Sequence, residues 1–261
     1  LSADIARRIE SGRQRLLGRL YRIVESQEEV ATRSLVDNLQ KQQVLEELLE
    51  QSKPARLPGS EQLHYLLATP FRYPPLPWGS RFGGTAESGI FYGSKTIPTV
   101  LAEAAYYRLL FFHDMDPAPP KPVTSYHNIF SAKYCADPGI RLQAPSWEND
   151  WPALTHPADY RYCQNLGREL REAGIAGIEA PSARALQVGL ALLPPSNSDG
   201  INVALFEPRA LLKRPPTQEA DVTAETAEGA VMFLVKSGDR TETRSFALEA
   251  FQIEGLLPRP A

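Results

Sequence analysis

All 23 prolines of this 261-residue chain lie at or after Pro54. Proline removes a backbone donor and clashes with the preceding helical turn, so long helices belong to proline-free stretches. Residues 1–53 contain no proline and only two glycines, Gly12 and Gly18. They are rich in Leu, Glu, Gln, Arg and Val, mostly good helix formers. Ile5, Ile9, Leu16, Leu17, Leu20, Ile23 and Val24 recur at helical spacing and predict an amphipathic helix over 3–27. A second helix is predicted from about 30 to 52, striped by Val36, Leu39, Val44, Leu45, Leu48 and Leu49. Ser26 or Thr32 would cap its start. The pair reads as a helical hairpin ending at Lys53-Pro54. Its apolar stripes need a partner: the rest of the chain, a second copy or another protein.

Beyond Pro54 the grammar changes. The expected organisation is an N-terminal helical extension over 1–60 and a second unit over 61–261. Phe71-Arg72-Tyr73 reads as extended, held out of helix by the prolines after it. Ser80 to Gly89 is a glycine-containing loop, and Ile90 to Tyr92 a strand. Strong helices are predicted over 96–112, with Pro98 in the first turn, and over 157–173, ending at Gly174. Residues 122–134 are β-rich, and strands are predicted at 175–179, 186–193, 201–207, 229–236 and 243–252. Helices and strands do not alternate regularly, which makes the expected class α+β.

Composition narrows the function. Hydrophobic residues are 43% and charged residues 23%, ordinary for a soluble globular protein. A net charge of −3 gives no support to non-specific nucleic-acid binding, which runs on phosphate neutralisation. No apolar run approaches the ~20 residues a membrane helix needs. The N-terminus is charged throughout its first turns, so no signal peptide is expected. Cys135 and Cys163 form no C-x-x-C pair and have no histidine cluster beside them, so no zinc site is expected and a reducing cytoplasm is the simplest compartment.

The helix over 96–112 carries the most information. Apolar side chains wrap nearly its whole circumference, and after its cap region it holds two charges, Glu103 and Arg108. A carboxylate in a buried helix is expensive unless it is paired or faces a cleft. Glu103 is therefore either one half of a tertiary salt bridge to an arginine or a cleft carboxylate that stabilises positive charge. Arg72 and Arg81 flank the rings of Phe71, Tyr73, Trp78 and Phe82, a combination suited to an anionic ligand with a flat ring. From composition alone, surface arginines over a packed loop explain the same residues. Neither phosphate-binding glycine fingerprint is present. Ser182 follows Pro181 at a strand end without a G-x-S-x-G elbow, so a hydrolase triad is not expected.

Taken together, these segments resemble the RES-domain family, named for an Arg, a Glu and a Ser. Phe71-Arg72-Tyr73 is similar to its arginine motif, and Gly79-Ser80-Arg81-Phe82-Gly83 to its glycine-arginine-aromatic loop. Ile90-Phe91-Tyr92-Gly93-Ser94 followed by Thr99-Val100-Leu101-Ala102-Glu103 resembles its strand-to-helix unit. Gly174 to Arg184 resembles its Gly-x-x-Gly-Ile-x-x-Pro-Ser-x-Arg segment, and Asn202-Val203-Ala204-Leu205-Phe206 the strand after it. The likeness covers about 70–210 and departs in the long N-terminal segment, in residues 185–200 and in the tail after 210.

The resemblance implies a mixed β core with flanking helices, like that of ADP-ribosyltransferase toxins, with NAD+ as substrate and no separate cofactor. It implies a bacterial toxin that depletes NAD+ by hydrolysis or phosphorolysis, with protein ADP-ribosylation as the alternative, and an Xre-type antitoxin as partner. In that frame Arg72, Glu103 and Ser182 are the expected catalytic residues, and Tyr73, Arg81, Tyr92 and Asn202 the expected NAD+ contacts. An interaction protein that works through its helical hairpin is the competing class. The hairpin has four available roles: joining two copies, covering the site, docking the antitoxin or capping the core.

Overall fold

Leu16 and Leu20 are four residues apart, a spacing that fits one face of a helix and one face of a strand equally well. The computed structural model describes residues 3–26, 48, 53–73, 75–191, 193 and 198–259. In it the expected helix over 3–27 stops at Gly12. Helix α1 (Ala3–Gly12) is followed by strand β1 (Gln14–Glu25). Leu16 and Leu20 are fully buried, whereas the intervening Leu17 is 55% exposed. Tyr21, Ile23 and Val24 suit a pleated, half-buried surface, and residues 127–139 supply the partner strand. The first helix of the expected hairpin is thus half strand. The second, over 30–52, lies outside the described residues except for Leu48.

Besides short turns that include the one-turn helix Trp151–Leu154, the remaining elements are α2 (Tyr65–Arg72), β2 (Phe91–Ser94), α3 (Ile97–His113), β3 (Val123–Arg141), α4 (Arg161–Glu172), β4 (Gly177–Pro181), α5 (Ala183–Gln187), β5 (Ile201–Leu205), β6 (Thr217–Thr226), β7 (Ala230–Ser237) and β8 (Arg240–Ala247). Phe71 and Arg72 therefore end a helix instead of lying in an extended stretch. Proline restrains the residue immediately before it, and only Tyr73, with φ −94° and ψ 144°, is extended. The segment expected as a strand over 186–193 begins inside α5, where Ser182 caps a short helical turn. The strand at 217–226 was not expected, because its alternation Ala220, Val222, Ala224 is built on small residues.

The strands form one mixed sheet in the order β1-β2-β5-β4-β3-β6-β7-β8, with β1 pairing β3 as well. Among the described strands only β3 and β4 run parallel. The β1–β3 pairing closes five strands into a ring that is joined at β1–β2 by the single pair Tyr21↔Ser94. The 19-residue β3 is the spine, pairing with β1, β4 and β6. This single sheet with segregated helices is the α+β arrangement.

Three apolar clusters hold the layers. α4 and the turn carrying Trp147 and Trp151 pack Leu166 and Leu170 against Ile178. α2 places Leu67 and Phe71 against Phe91, Val203 and Leu205. α3 sets Leu101, Ala105 and Leu109 against Val222, Phe233 and Phe246. Burial of these side chains is the main favourable term in such a fold. Among the described residues, no helix is long and apolar enough to cross a membrane.

Candidate active site

Where β1 and β2 meet at that single pair, a cavity of about 360 Å³ opens between them and α3. Arg81, Tyr92, Glu103 and Asn202 all line it. Glu103 is partly exposed on an α3 whose neighbours Leu101, Ala102 and Ala105 are buried, so its carboxylate turns to the cavity rather than the core. Two neutral donors hold one of its oxygens. Ser182 Oγ and Asn202 Nδ2 each donate to Oε1 at 2.6 Å. Among the described residues no donor hydrogen-bonds Oε2, and Glu103 makes no salt bridge. The tertiary ion pair that the sequence allowed is replaced by a carboxylate that is oriented but not neutralised.

Each donor is itself held. Ser182 ends β4 and caps α5, and its Oγ accepts from the Ala185 N–H at 3.0 Å, leaving its proton for Glu103. Ser182 thus caps a helical turn and hydrogen-bonds Glu103 with the same hydroxyl. Asn202 lies opposite Ser94 across the β2–β5 ladder, and Ser94 Oγ donates to its Oδ1 at 2.6 Å.

The walls are aromatic and apolar: Phe82, Tyr92, Tyr107 and Tyr160. The Tyr92 hydroxyl accepts from Phe82 N at 3.0 Å and shares a hydrogen bond with Ser80 Oγ at 3.0 Å, so it pins the glycine loop. Burial pushes this phenol up to about 12, and does the same to Tyr106. Below pH 10 both rings are neutral in folded and unfolded chains. As pH rises from 10 to 12 the unfolded chain ionises first, and stability is lost. We expect the urea midpoint to fall across that window, and less steeply in Tyr92→Phe. A midpoint flat to pH 12 would contradict the burial of these phenols.

Among the described residues, two cations face the cavity. Arg81 lies over the Tyr160 ring at 4.3 Å, and its Nη1 donates to the carbonyls of Leu154 and His156 at 3.2 and 2.9 Å. Arg22 reaches the cavity because residues 14–25, whose spacing predicts a helix, form strand β1 instead. Its Nη1 donates to the Tyr92 carbonyl at 2.7 Å, bridging β1 and β2. Burial lowers its pKa to about 10, which leaves it charged at neutral pH. Among the described residues it forms no salt bridge. The β-branched and aromatic neighbours Tyr21, Ile23 and Val24 were the available signal.

Arg72 and Tyr73 do not line the cavity. Arg72 closes α2 and its Nε donates to the Pro54 carbonyl. Tyr73 is 41% exposed. The loop that does form the wall is preformed. Glu87 accepts from Gly84 N at 2.7 Å and pairs with Arg168 at 3.2 Å and Arg171 at 2.9 Å. Arg171 also donates to the Phe82 carbonyl at 3.1 Å.

Fold and site together describe a mixed α+β protein with one oriented carboxylate at the floor of an aromatic, cation-flanked cavity. The chain belongs to the RES-domain family, whose model matches residues 53–225. Glu103, Ser182, Asn202, Arg81 and Tyr92 lie inside that match, and Arg22 lies before it. Among solved structures, the chain is similar to a chain in the crystal structure of the M. tuberculosis MbcT–MbcA toxin–antitoxin complex. The identity is 12% and the TM-score 0.45, covering 87% of this chain and 94% of that one. No curated protein sequence matches the chain.

Proposed function

We propose that this protein is the toxin of a toxin–antitoxin pair and acts by cleaving the nicotinamide–ribose bond of NAD+. The observation that carries the reading is the Glu103 carboxylate, held on Oε1 by Ser182 and Asn202 and facing an aromatic cavity that also holds Arg22 and Arg81. The leaving nicotinamide departs from a cationic pyridinium as a neutral molecule, so the reaction needs no general acid. Its transition state is oxocarbenium-like, and a fixed carboxylate stabilises the developing positive charge at the ribose. Glu103 has that role and holds a ribose hydroxyl through its unoccupied oxygen. Tyr92 and Tyr107 form the wall against the nicotinamide ring. Arg22 and the free part of the Arg81 guanidinium take the phosphates by charge-assisted hydrogen bonds. Water or inorganic phosphate then attacks the anomeric carbon, giving ADP-ribose or its 1″-phosphate. The partner in this reading is an Xre-type antitoxin.

The test is NAD+ consumption by the purified protein, with and without inorganic phosphate, with products separated by mass. Free nicotinamide with ADP-ribose or its phosphate supports the reading and names the acceptor. Labelled protein in place of free ADP-ribose would move it to protein modification. The Arg22→Ala variant is expected to raise KM for NAD+ by roughly tenfold or more, the worth of a hydrogen bond to a charged group, with kcat within a fewfold of wild type. An unchanged KM would remove Arg22 from the phosphate site.

A further inference from the structure

Ser94 is a polar residue, 3% exposed, at the end of a four-residue strand, and it borders the cavity together with Tyr92 and Gly93. It sits directly across the ladder from Asn202. Its hydroxyl donates to Asn202 Oδ1 at 2.6 Å, and the other end of the same amide donates from Nδ2 to Glu103 Oε1 at 2.6 Å. The amide is therefore held at both ends, one by a hydroxyl and one by a carboxylate.

The two ends of an asparagine amide are nearly the same size, and its terminal torsion is broad. Turned over, the amide would set Oδ1 against Glu103 Oε1, two negative atoms in contact. The correct orientation makes Asn202 a donor to the carboxylate. A hydrogen bond into Oδ1 polarises the amide and strengthens the N–H that Nδ2 offers to Glu103. Ser182, the second donor on Oε1, is anchored separately by Ala185. Ser94 is thus the described residue that secures the Asn202 half of the grip on Glu103.

We infer that Ser94 is a positioning residue, acting through Asn202 to hold the Glu103 carboxylate at the angle at which its free oxygen meets the reacting ribose. This rests on the NAD+-cleaving reading of the site, and deepens it by extending the working unit to the opposite strand. Ser94 borders the cavity, but it is buried and its hydroxyl proton is committed to Asn202, so its removal should change the rate of the bond-breaking step rather than substrate affinity.

The experiment compares wild type with Ser94→Ala and Ser94→Thr in the full chain. Ser94→Ala should lower kcat for NAD+ cleavage about tenfold, leave KM within twofold and leave Tm within a few degrees. Ser94→Thr, which restores a hydroxyl, should recover most of the loss. In parallel, the Asn202 side-chain amide is followed by 15N–1H NMR and assigned by its disappearance in Asn202→Ala. In wild type its two protons should differ widely in shift and exchange slowly. In Ser94→Ala they should move toward the values of a solvent-exposed amide. Wild-type kcat in Ser94→Ala overturns the inference, as does an unmoved amide signal. Should wild type consume no NAD+, the functional reading fails, and the amide signal alone decides whether Ser94 sets Asn202.

Discussion

Glu103→Ala is expected to lower NAD+ turnover by roughly 10³-fold, the scale on which removal of a preorganised electrostatic group acts in a water-poor site. The effect should fall on kcat, because the carboxylate meets charge that develops only in the transition state. Stability should change little. The side chain lines a cavity, and its loss leaves no buried charge behind; Ser182 and Asn202 then face solvent that enters the space. Glu103→Gln should fail nearly as badly, since a neutral amide keeps the shape but not the charge. Product release followed by mass, with folding checked by circular dichroism, decides the matter. Turnover within tenfold of wild type in both variants would refute the role assigned to Glu103.

Gly167→Ala is expected to destabilise the protein by about 3 kcal/mol, the upper part of the range for overpacking. A Cβ at this position would stand 2.1 Å from the Phe82 carbonyl oxygen and 2.8 Å from its carbon. These are backbone atoms and cannot rotate aside. Helix α4 would have to withdraw from the glycine loop, loosening the wall that Phe82 gives to the cavity. The sign separates this account from intrinsic propensity. At a helix position with room, glycine to alanine stabilises by about 0.5–1 kcal/mol. A chain of this size should lose roughly 6–12 °C in Tm for the expected change. A Tm equal to or above wild type would show that the close approach of α4 does not matter.

Where residues carried local information, sequence and structure agree. The helix predicted over 96–112 is α3 (Ile97–His113), because apolar side chains that wrap nearly the whole circumference over that length suit a buried helix. Gly174 ends α4 with φ +71°, the left-handed value a helix stop requires. Glu103 stands out as an unexplained charge on a buried helix, and its carboxylate faces the cavity. Ser182 and Asn202 came from motif likeness, and both reach Glu103.

Agreement fails where pairing decides. Residues 14–25 satisfy helical and extended periodicity alike, and the vacancy beside residues 127–139 selects the strand. That choice moves Arg22 from an imagined helix face to the cavity wall. Arg72 lies away from the cavity for a different reason. Its neighbourhood of arginine, rings and prolines is genuine, but the end of α2 turns it to the Pro54 carbonyl.

By itself, the sequence determined the α+β class and the long buried helix, and it marked Glu103 as a charge that helix had to account for, because these follow from local periodicity and from the cost of burying a charge. Only the tertiary structure decided which atoms surround that carboxylate. Ser94, Glu103, Ser182 and Asn202 are spread over more than a hundred residues of chain. Their hydrogen bonds arise from strand order and register, which depend on the competition among all possible pairings and not on any one segment.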